Sequence, residues 1–309
     1  MEQQALYLEI SASQLKSWLN QGLNVLLVDT LPEDHFKKRH LPRAKNACVY
    51  EVIFLQRMED LVKDHTGRLV LYGSSTASRD AVTAAEKLAR AGYRDLCVLE
   101  GGLRAWREAG YPLEGEAPEG LDPWPAKESL ADGDFQVDRE ASFIGWTGRN
   151  ANVGHHGIVR LKNGELSVRA GTVSGTFLVD MDSIVNFNLQ DEALRKILIA
   201  HLKSDDFFWL EQFPEARFSL TRVQPIANAR PGSTNFDVEG RLCLRGIEAD
   251  IQFQAVVESL GDGGMAAEAH FDLDRTRWGI IYGSGRFFEH LGMHLVYDPI
   301  SIQVRIVAR

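Results

Sequence analysis

The chain has 309 residues, a formal net charge of −9, 44% hydrophobic residues and 25% charged residues. That length suits two domains rather than one, and the composition is that of an ordinary soluble globular protein. No basic stripe is present to neutralise phosphates, so the acidic balance argues against a nucleic-acid partner.

Residues 1–116 hold sixteen acids and fifteen bases, which places the excess of acid in the remainder. Cys48, Cys97 and Cys243 are odd in number, far apart and without CxxC spacing. A disulfide framework or a zinc site is therefore not expected, and a reducing compartment fits. The opening MEQQALYLEISASQ has neither a basic n-region nor an apolar h-region, and no window approaches eighteen apolar residues. The expectation is a cytoplasmic protein without an integral membrane segment.

In chain order, Ser11 or Ser13 caps a first helix in SASQLKSWLNQG, which ends at Gly22. Asn24–Asp29 reads as a strand buried on both faces, and Arg68–Tyr72 as a second. A polar loop then leads to a helix over Ala81–Ala91 with Gly92 as its C-cap. Leu96–Leu99 is a third strand, after which Gly101 and Gly102 open a last helix. Strands alternating with helices predict a small parallel α/β sheet. Ligands sit at the carboxyl ends of such strands. Here that loop is Gly73-Ser74-Ser75-Thr76-Ala77-Ser78-Arg79. Its N–H groups and the following helix N-terminus make an anion cradle with Arg79 as counter-charge, or a plain polar loop in which Thr76 or Ser78 is the N-cap.

The strings Leu27–Phe36 and Arg39–Ala44, the Leu69–Tyr72 strand before its loop, and Leu99-Glu-Gly-Gly-Leu-Arg-Ala-Trp106 together resemble the rhodanese family. The resemblance implies a cysteine directly after the Tyr-ending strand, activated by the loop as a sulfur-accepting thiolate. This sequence has Gly73 there, or Ser74 with the loop shifted by one. Sulfur transfer by the family mechanism is thus not expected and no catalytic residue is assigned; Cys97 and Cys48 read as buried, inert thiols.

A proline-bearing linker over 117–133 follows, in which Trp124 between Pro123 and Pro125 is a candidate pin to one domain. From 134 to 309 strict period-two alternation takes over. Val173, Gly175, Phe177, Val179 and Met181 share one face, and the pattern recurs from Ile251 to Val257, Met265 to Leu273 and Ile300 to Ile306. Lys162-Asn163-Gly164 is the strongest local hairpin signal. Leu189–Lys203 is the single helix, and its apolar stripe of Leu194, Ile197, Leu198 and Leu202 is placed to cover a barrel mouth, with Phe207 and Phe208 as plugs. The inward set includes Gly175, Gly240, Ala255, Ala267 and Ala269, small residues that fit either jigsaw packing or a ligand cavity.

Gly154-His-His-Gly157, Phe177–Ile184, His201–Phe208, Phe213–Phe218, the Val238–Ile247 hairpin, Asp274–Ile280 and Phe287-Phe288 resemble the YceI family of lipocalin-like, polyprenyl-binding barrels. The resemblance favours a cavity and implies an isoprenoid or quinone-like lipid as ligand, with no chemistry done on it and no cofactor. The family's habit of working outside the cytoplasmic membrane gives a periplasmic alternative. The candidate lining is Phe177, Val179, Met181, Phe218, Leu220, Val238, Leu242, Phe253, Ala255, Ala269 and Phe271.

No metal site is expected. His155 and His156 point oppositely on a strand, and Gly292 interrupts the spacing of His290 and His294. His201 reads as a buried, hydrogen-bonded histidine, and Asp205 and Asp206 as capping charges. The expected fold is thus a rhodanese-like parallel α/β sheet (1–116), a linker, and an antiparallel lipocalin-like barrel with one covering helix (134–309). The expected function is sequestration of an isoprenoid-like lipid beside a catalytically inactive anion-binding or recognition domain. Two alternatives stand beside it. One is a sulfurtransferase-type enzyme using a non-standard residue, with a lipid-binding appendage, and the other a scaffold with a solid core. A homodimer is compatible with any of these.

Overall fold

The computed structural model describes residues 6–120 and 130–309. The chain divides into two compact units, Met1–Asp122 and Pro123–Arg309. Trp124, the candidate pin, lies outside the described residues.

The first unit runs β1 (Leu8–Ile10), α1 (Ala12–Asn20), β2 (Leu26–Asp29), α2 (Glu33–Lys38), β3 (Lys45–Asn46), α3 (Phe54–Leu61), β4 (Leu69–Tyr72), α4 (Asp80–Arg90), β5 (Leu96–Leu99) and α5 (Gly102–Glu108). The strands form one sheet in the order β1-β5-β4-β2-β3, every pairing parallel. Alternate residues of the central strands feed opposite faces, which is why they read as unbroken apolar runs. Leu69 and Leu71 pack with Phe54, Met58, Ala84 and Leu88 from α3 and α4. Val70 and Tyr72 pack with Leu15, Leu103 and Trp106 from α1 and α5. Ser11 caps α1, its hydroxyl accepting from the Gln14 N–H at 3.2 Å. α4 starts at Asp80, one residue before the expected start, and is capped by Arg79 without a side-chain bond, so neither Thr76 nor Ser78 takes that role.

The second unit holds β6 (Gly133–Gln136), β7 (Phe143–Arg149), β8 (Gly154–Arg169), β9 (Thr172–Asn186), α6 (Glu192–Lys203), β10 (Glu215–Pro225), β11 (Phe236–Leu244), β12 (Ile247–Ser259), β13 (Met265–Asp274) and β14 (Pro299–Ala308). Among the described residues, eight antiparallel strands, β7 to β14, close into a barrel. β8 pairs β9 on one side and β7 on the other, and β7 pairs β14. β6 continues the broken first strand along β8, and Gln136 and Arg309 exchange backbone bonds beside it.

The Asn163-Gly164 hairpin is a misreading. Both residues lie inside β8, at a register shift. The turn comes six residues later at Ala170 and Gly171, both at positive φ (49° and 79°), the geometry of a type I′ hairpin. Gly164 is small for another reason: a Cβ there would stand 2.7 Å from Val137 and 2.9 Å from the Phe177 ring. α6 begins at Glu192, not Leu189, because the Asp191 carboxylate accepts the Leu194 N–H at 3.0 Å and fixes the start.

Candidate functional site

The interior of the barrel is hollow. A cavity of about 500 Å³ runs along its axis, within the roughly 300–1,000 Å³ of small-molecule sites. All eleven residues of the predicted lining stand on its wall. Four phenyl rings make a continuous shelf. Phe177 and Phe218 have centroids 6.3 Å apart, Phe218 and Phe253 5.9 Å, and Phe253 and Phe271 4.4 Å in near-parallel stacking. Ala255 and Ala269 pair across β12 and β13, two residues along from Phe253 and Phe271 on the same wall, and keep that part of it low.

The glycines do not create the void. The space of a side chain at Gly240 is taken by the Phe218 ring, whose Cζ lies 2.2 Å from where a Cβ would stand. At Gly175 the Leu166 side chain does the same, at 2.8 Å. Ala255, Ala267 and Ala269 are small residues that do stand on the wall.

Strand direction sorts the connections into two ends. One carries the 149–154 hairpin, α6 with the loop after it, the 245–246 turn and the segment from 275 to 298. The cavity opens there. Val153 and Met293 are wall residues yet 45% and 75% exposed, whereas Leu166, Val257 and Met265 near the other end are buried.

Three cations hold this capped end together. Arg275 is buried and gives its donors to the carbonyls of Ile280 (2.7 Å), Val296 (3.0 Å) and Tyr297 (3.1 Å), fixing the long segment across the mouth. Arg245 bonds the carbonyls of Asp205 (2.7 Å), Gly279 (3.0 Å) and Phe207 (3.1 Å). Lys203 ties the end of α6 to the Asp182 carboxylate at 2.7 Å.

Leu198, Leu202, Phe207 and Phe208 close over the cavity as expected of them, but Leu194 and Ile197 face solvent. His201 is half-buried on the wall, edge-on to Phe207 and Tyr282. Its Nε2 lies 3.0 Å from the Asp206 carboxylate, so Asp206 orients a histidine rather than capping a helix. His155 faces the cavity and His156 the barrel's outer surface.

Polar wall groups gather at the same end. Arg149, Asn150, His155, His201, Tyr282 and His294 ring the opening. The Trp146 Nε1 and His155 Nδ1 atoms are buried there without a hydrogen-bond partner among the described residues. Glu268, the only carboxylate on the wall among the described residues, is paired with Arg305. Sequence reasoning weighed His155, His201 and His294 one by one and missed the collar, because its members come from β7, β8, α6 and the connections between strands, far apart in sequence. Among the described residues no three His, Cys, Asp or Glu side chains converge as metal ligands.

The loop of the first unit is differently disposed. Gly73 directly follows β4, and the Asp80 carboxylate fills the place of a side chain. A Cβ at Gly73 would lie 2.6 Å from Asp80 Oδ2 and 2.7 Å from its Cβ. Asp80 is buried and accepts from the Ser74 N–H at 3.3 Å and from the Tyr50 hydroxyl, whose pKa burial and that carboxylate push up to about 12. Arg79 turns away to Glu86 at 3.5 Å instead of serving as counter-charge. Ser75 Oγ accepts the Ala77 N–H and the Ser75 carbonyl the Ser78 N–H, which folds the loop on itself. Gly102 lets α5 meet this loop, and the Leu103 and Arg104 N–H groups bond the Gly73 and Ser74 carbonyls. Cys48 and Cys97 are buried free thiols, and burial raises the Cys97 pKa.

The YceI-like domain family matches residues 135–308, more than half of the chain. The chain belongs to the YceI-like family. A rhodanese-like domain matches residues 11–109 ahead of the YceI-like barrel. Among solved structures, BcnA from Burkholderia cenocepacia is 19% identical, covers 56% of this chain and 99% of its own, and has a TM-score of 0.44. A polyisoprenoid binding domain from Saccharophagus degradans implicated in plant cell wall breakdown is 14% identical over 57% of this chain and 97% of its own, with a TM-score of 0.43. A rhodanese-related protein from Thermoplasma volcanium is 19% identical over 36% of this chain and all of its own, with a TM-score of 0.30. Comparison with curated proteins gives no match. No helix among the described residues is long and apolar enough to cross a membrane.

Proposed function

We propose that the YceI-like barrel binds and shields an isoprenoid-like lipid, and that the rhodanese-like domain carries out no sulfur transfer. The observation that carries the first part is the cavity itself, apolar along its shaft save for the Arg305-paired Glu268, with its other polar groups gathered around its opening. Each CH₂ taken from water is worth about 0.8 kcal/mol, so a twenty-carbon chain brings on the order of 16 kcal/mol against association costs of roughly 4–15 kcal/mol. A buried indole N–H and imidazole nitrogen without partners cost free energy that a ligand oxygen would recover, so a head such as a quinone carbonyl lies at the capped end and the tail along the phenyl shelf.

Support for the second part is Gly73 at the position of the sulfur-accepting residue, with a buried carboxylate against it. A negative charge there opposes a thiolate or an incoming thiosulfate. The domain is then a recognition module whose anion cradle is filled from within.

Native mass spectrometry of the protein as purified, followed by titration with a fluorescent polyprenyl probe, tests the carrier. A co-purifying lipid or saturable probe uptake is expected. An empty protein that takes up no probe overturns it.

A further inference from the structure

The second unit exposes large apolar side chains at one end only. Among the described residues these are Val153, Val185, Phe187, Leu194, Ile197, Trp209, Ile247, Phe287, Phe288, Met293 and Tyr297, and every one lies at the end where the cavity opens. The connections at the other end, around residues 137–142, 169–172, 225–236 and 259–265, contribute none. Single exposed apolar residues are normal on a soluble protein, but a one-sided accumulation is not.

We propose that this end of the barrel is a membrane-docking face that seats the opening of the cavity on a lipid bilayer. It deepens the carrier reading and rests on it for the source of the ligand. Three features favour a bilayer over a protein partner. The side chains project from separate elements around an opening, which suits a laterally uniform medium rather than one peptide in a groove. They mix aliphatic groups with Trp209, Phe287, Phe288 and Tyr297, the residue types that settle at the boundary of headgroups and acyl chains. The surface is also continuous with the wall: Val153 and Met293 belong to both, so a chain could pass from bilayer to cavity without crossing water.

Charges at this end are of both signs, and several are internally paired. Lys196 meets Glu192 at 2.7 Å, and Arg286 meets Asp274 and Asp298 at 2.8 and 3.1 Å. Attachment therefore comes from apolar insertion and needs no anionic lipid.

The test is flotation of the full chain with phosphatidylcholine vesicles. The triple variant Leu194→Glu/Ile197→Glu/Phe287→Glu changes side chains that are 54%, 64% and 53% exposed, none of them on the cavity wall, and leaves the core alone. Val52→Glu, at a fully exposed apolar position of the first unit, is the control. Expected are flotation of the parent and the control, quenching of Trp209 emission by brominated lipid, and at least a tenfold fall in partition for the triple variant. Uptake of the polyprenyl probe from dilute detergent should survive in the triple variant while transfer from vesicles is lost. A parent that takes up the probe but does not float overturns docking and leaves the carrier intact. Flotation without uptake supports docking and removes the carrier. A dimer in sedimentation that the triple substitution dissolves, without flotation of the parent, makes the face a contact between copies and overturns the proposal.

Discussion

Gly73→Cys places a thiol directly after β4, where a sulfur-accepting rhodanese has one. Its Cβ would lie 2.6 Å from Asp80 Oδ2 and 2.7 Å from Asp80 Cβ, well inside van der Waals contact. Relieving such a clash costs about 1–3 kcal/mol. The sulfur, one bond further out, comes to rest about 4 Å or less from the carboxylate. Two like charges about 4 Å apart at an effective dielectric of ~20 repel by about 4 kcal/mol, which is roughly three pKa units. The thiol would move from about 8.5 to beyond 11, leaving almost no thiolate at neutral pH. The single variant should therefore show no thiosulfate:cyanide turnover. Gly73→Cys/Asp80→Asn removes the charge and keeps the crowding, whereas Gly73→Cys/Asp80→Gly removes both at a modest cost to the first turn of α4. Turnover is expected first in the Asp80→Gly background, with the thiol pKa, read from the pH dependence of iodoacetamide alkylation, falling by two units or more. Turnover by Gly73→Cys alone at a rate matching the double variant, or an alkylation pKa below about 8.5, would refute the reasoning.

Ala269→Phe should fill the cavity beside Phe271 and Phe253 on the same wall, cutting polyprenyl-probe uptake at least tenfold while the melting temperature holds or rises. Gly240→Ala drives a methyl to 2.2 Å from the Phe218 ring and 2.8 Å from the Ser219 carbonyl, so the denaturation midpoint should fall by an amount worth about 1–3 kcal/mol. Asp29 is fully buried, accepts the Leu31 N–H at 2.8 Å, and has its pKa pushed up to about 6 by burial. The folded state thus holds its proton more tightly than the unfolded chain, and the stability of the first unit drops as pH rises from about 4 through 6, by roughly 3 kcal/mol. Asp29→Asn should flatten that dependence and stabilise the unit at pH 7, which hydrogen exchange of the β2 and β4 amides at graded urea would report.

The fold was legible because both halves carry strong periodicities. Strands such as Leu69–Tyr72, with every residue buried, announce a two-faced sheet, and alternation from Val173 onward announces a wall with one wet side. What stayed hidden depends on contacts between distant residues. Asn163-Gly164 mimics a turn but sits at a shift in β8, while the real turn uses an alanine at positive φ that propensity would not choose. Gly175 and Gly240 looked like openings, yet Leu166 and Phe218 lean over them. Nothing in the sequence set Asp80 apart, and only the meeting of Gly73, Ser74 and Tyr50 makes it the occupant of the loop. The lining was readable from strand parity. The apolar face around the opening was not, since its members come from turns and a helix without shared period.

β7 and β14, which pair along Phe143–Thr147 and Ser301–Arg305, stand more than 150 residues apart in sequence. Long-range pairings of that kind form late, because the entropy of bringing the ends together must be met first. The vessel therefore does not exist by degrees. Until its last seam is zipped, the strands offer bare edges and an oily sheet to any passing neighbour, which is the state most prone to aggregate. A cell making this protein therefore meets its stickiest form first and the closed barrel last.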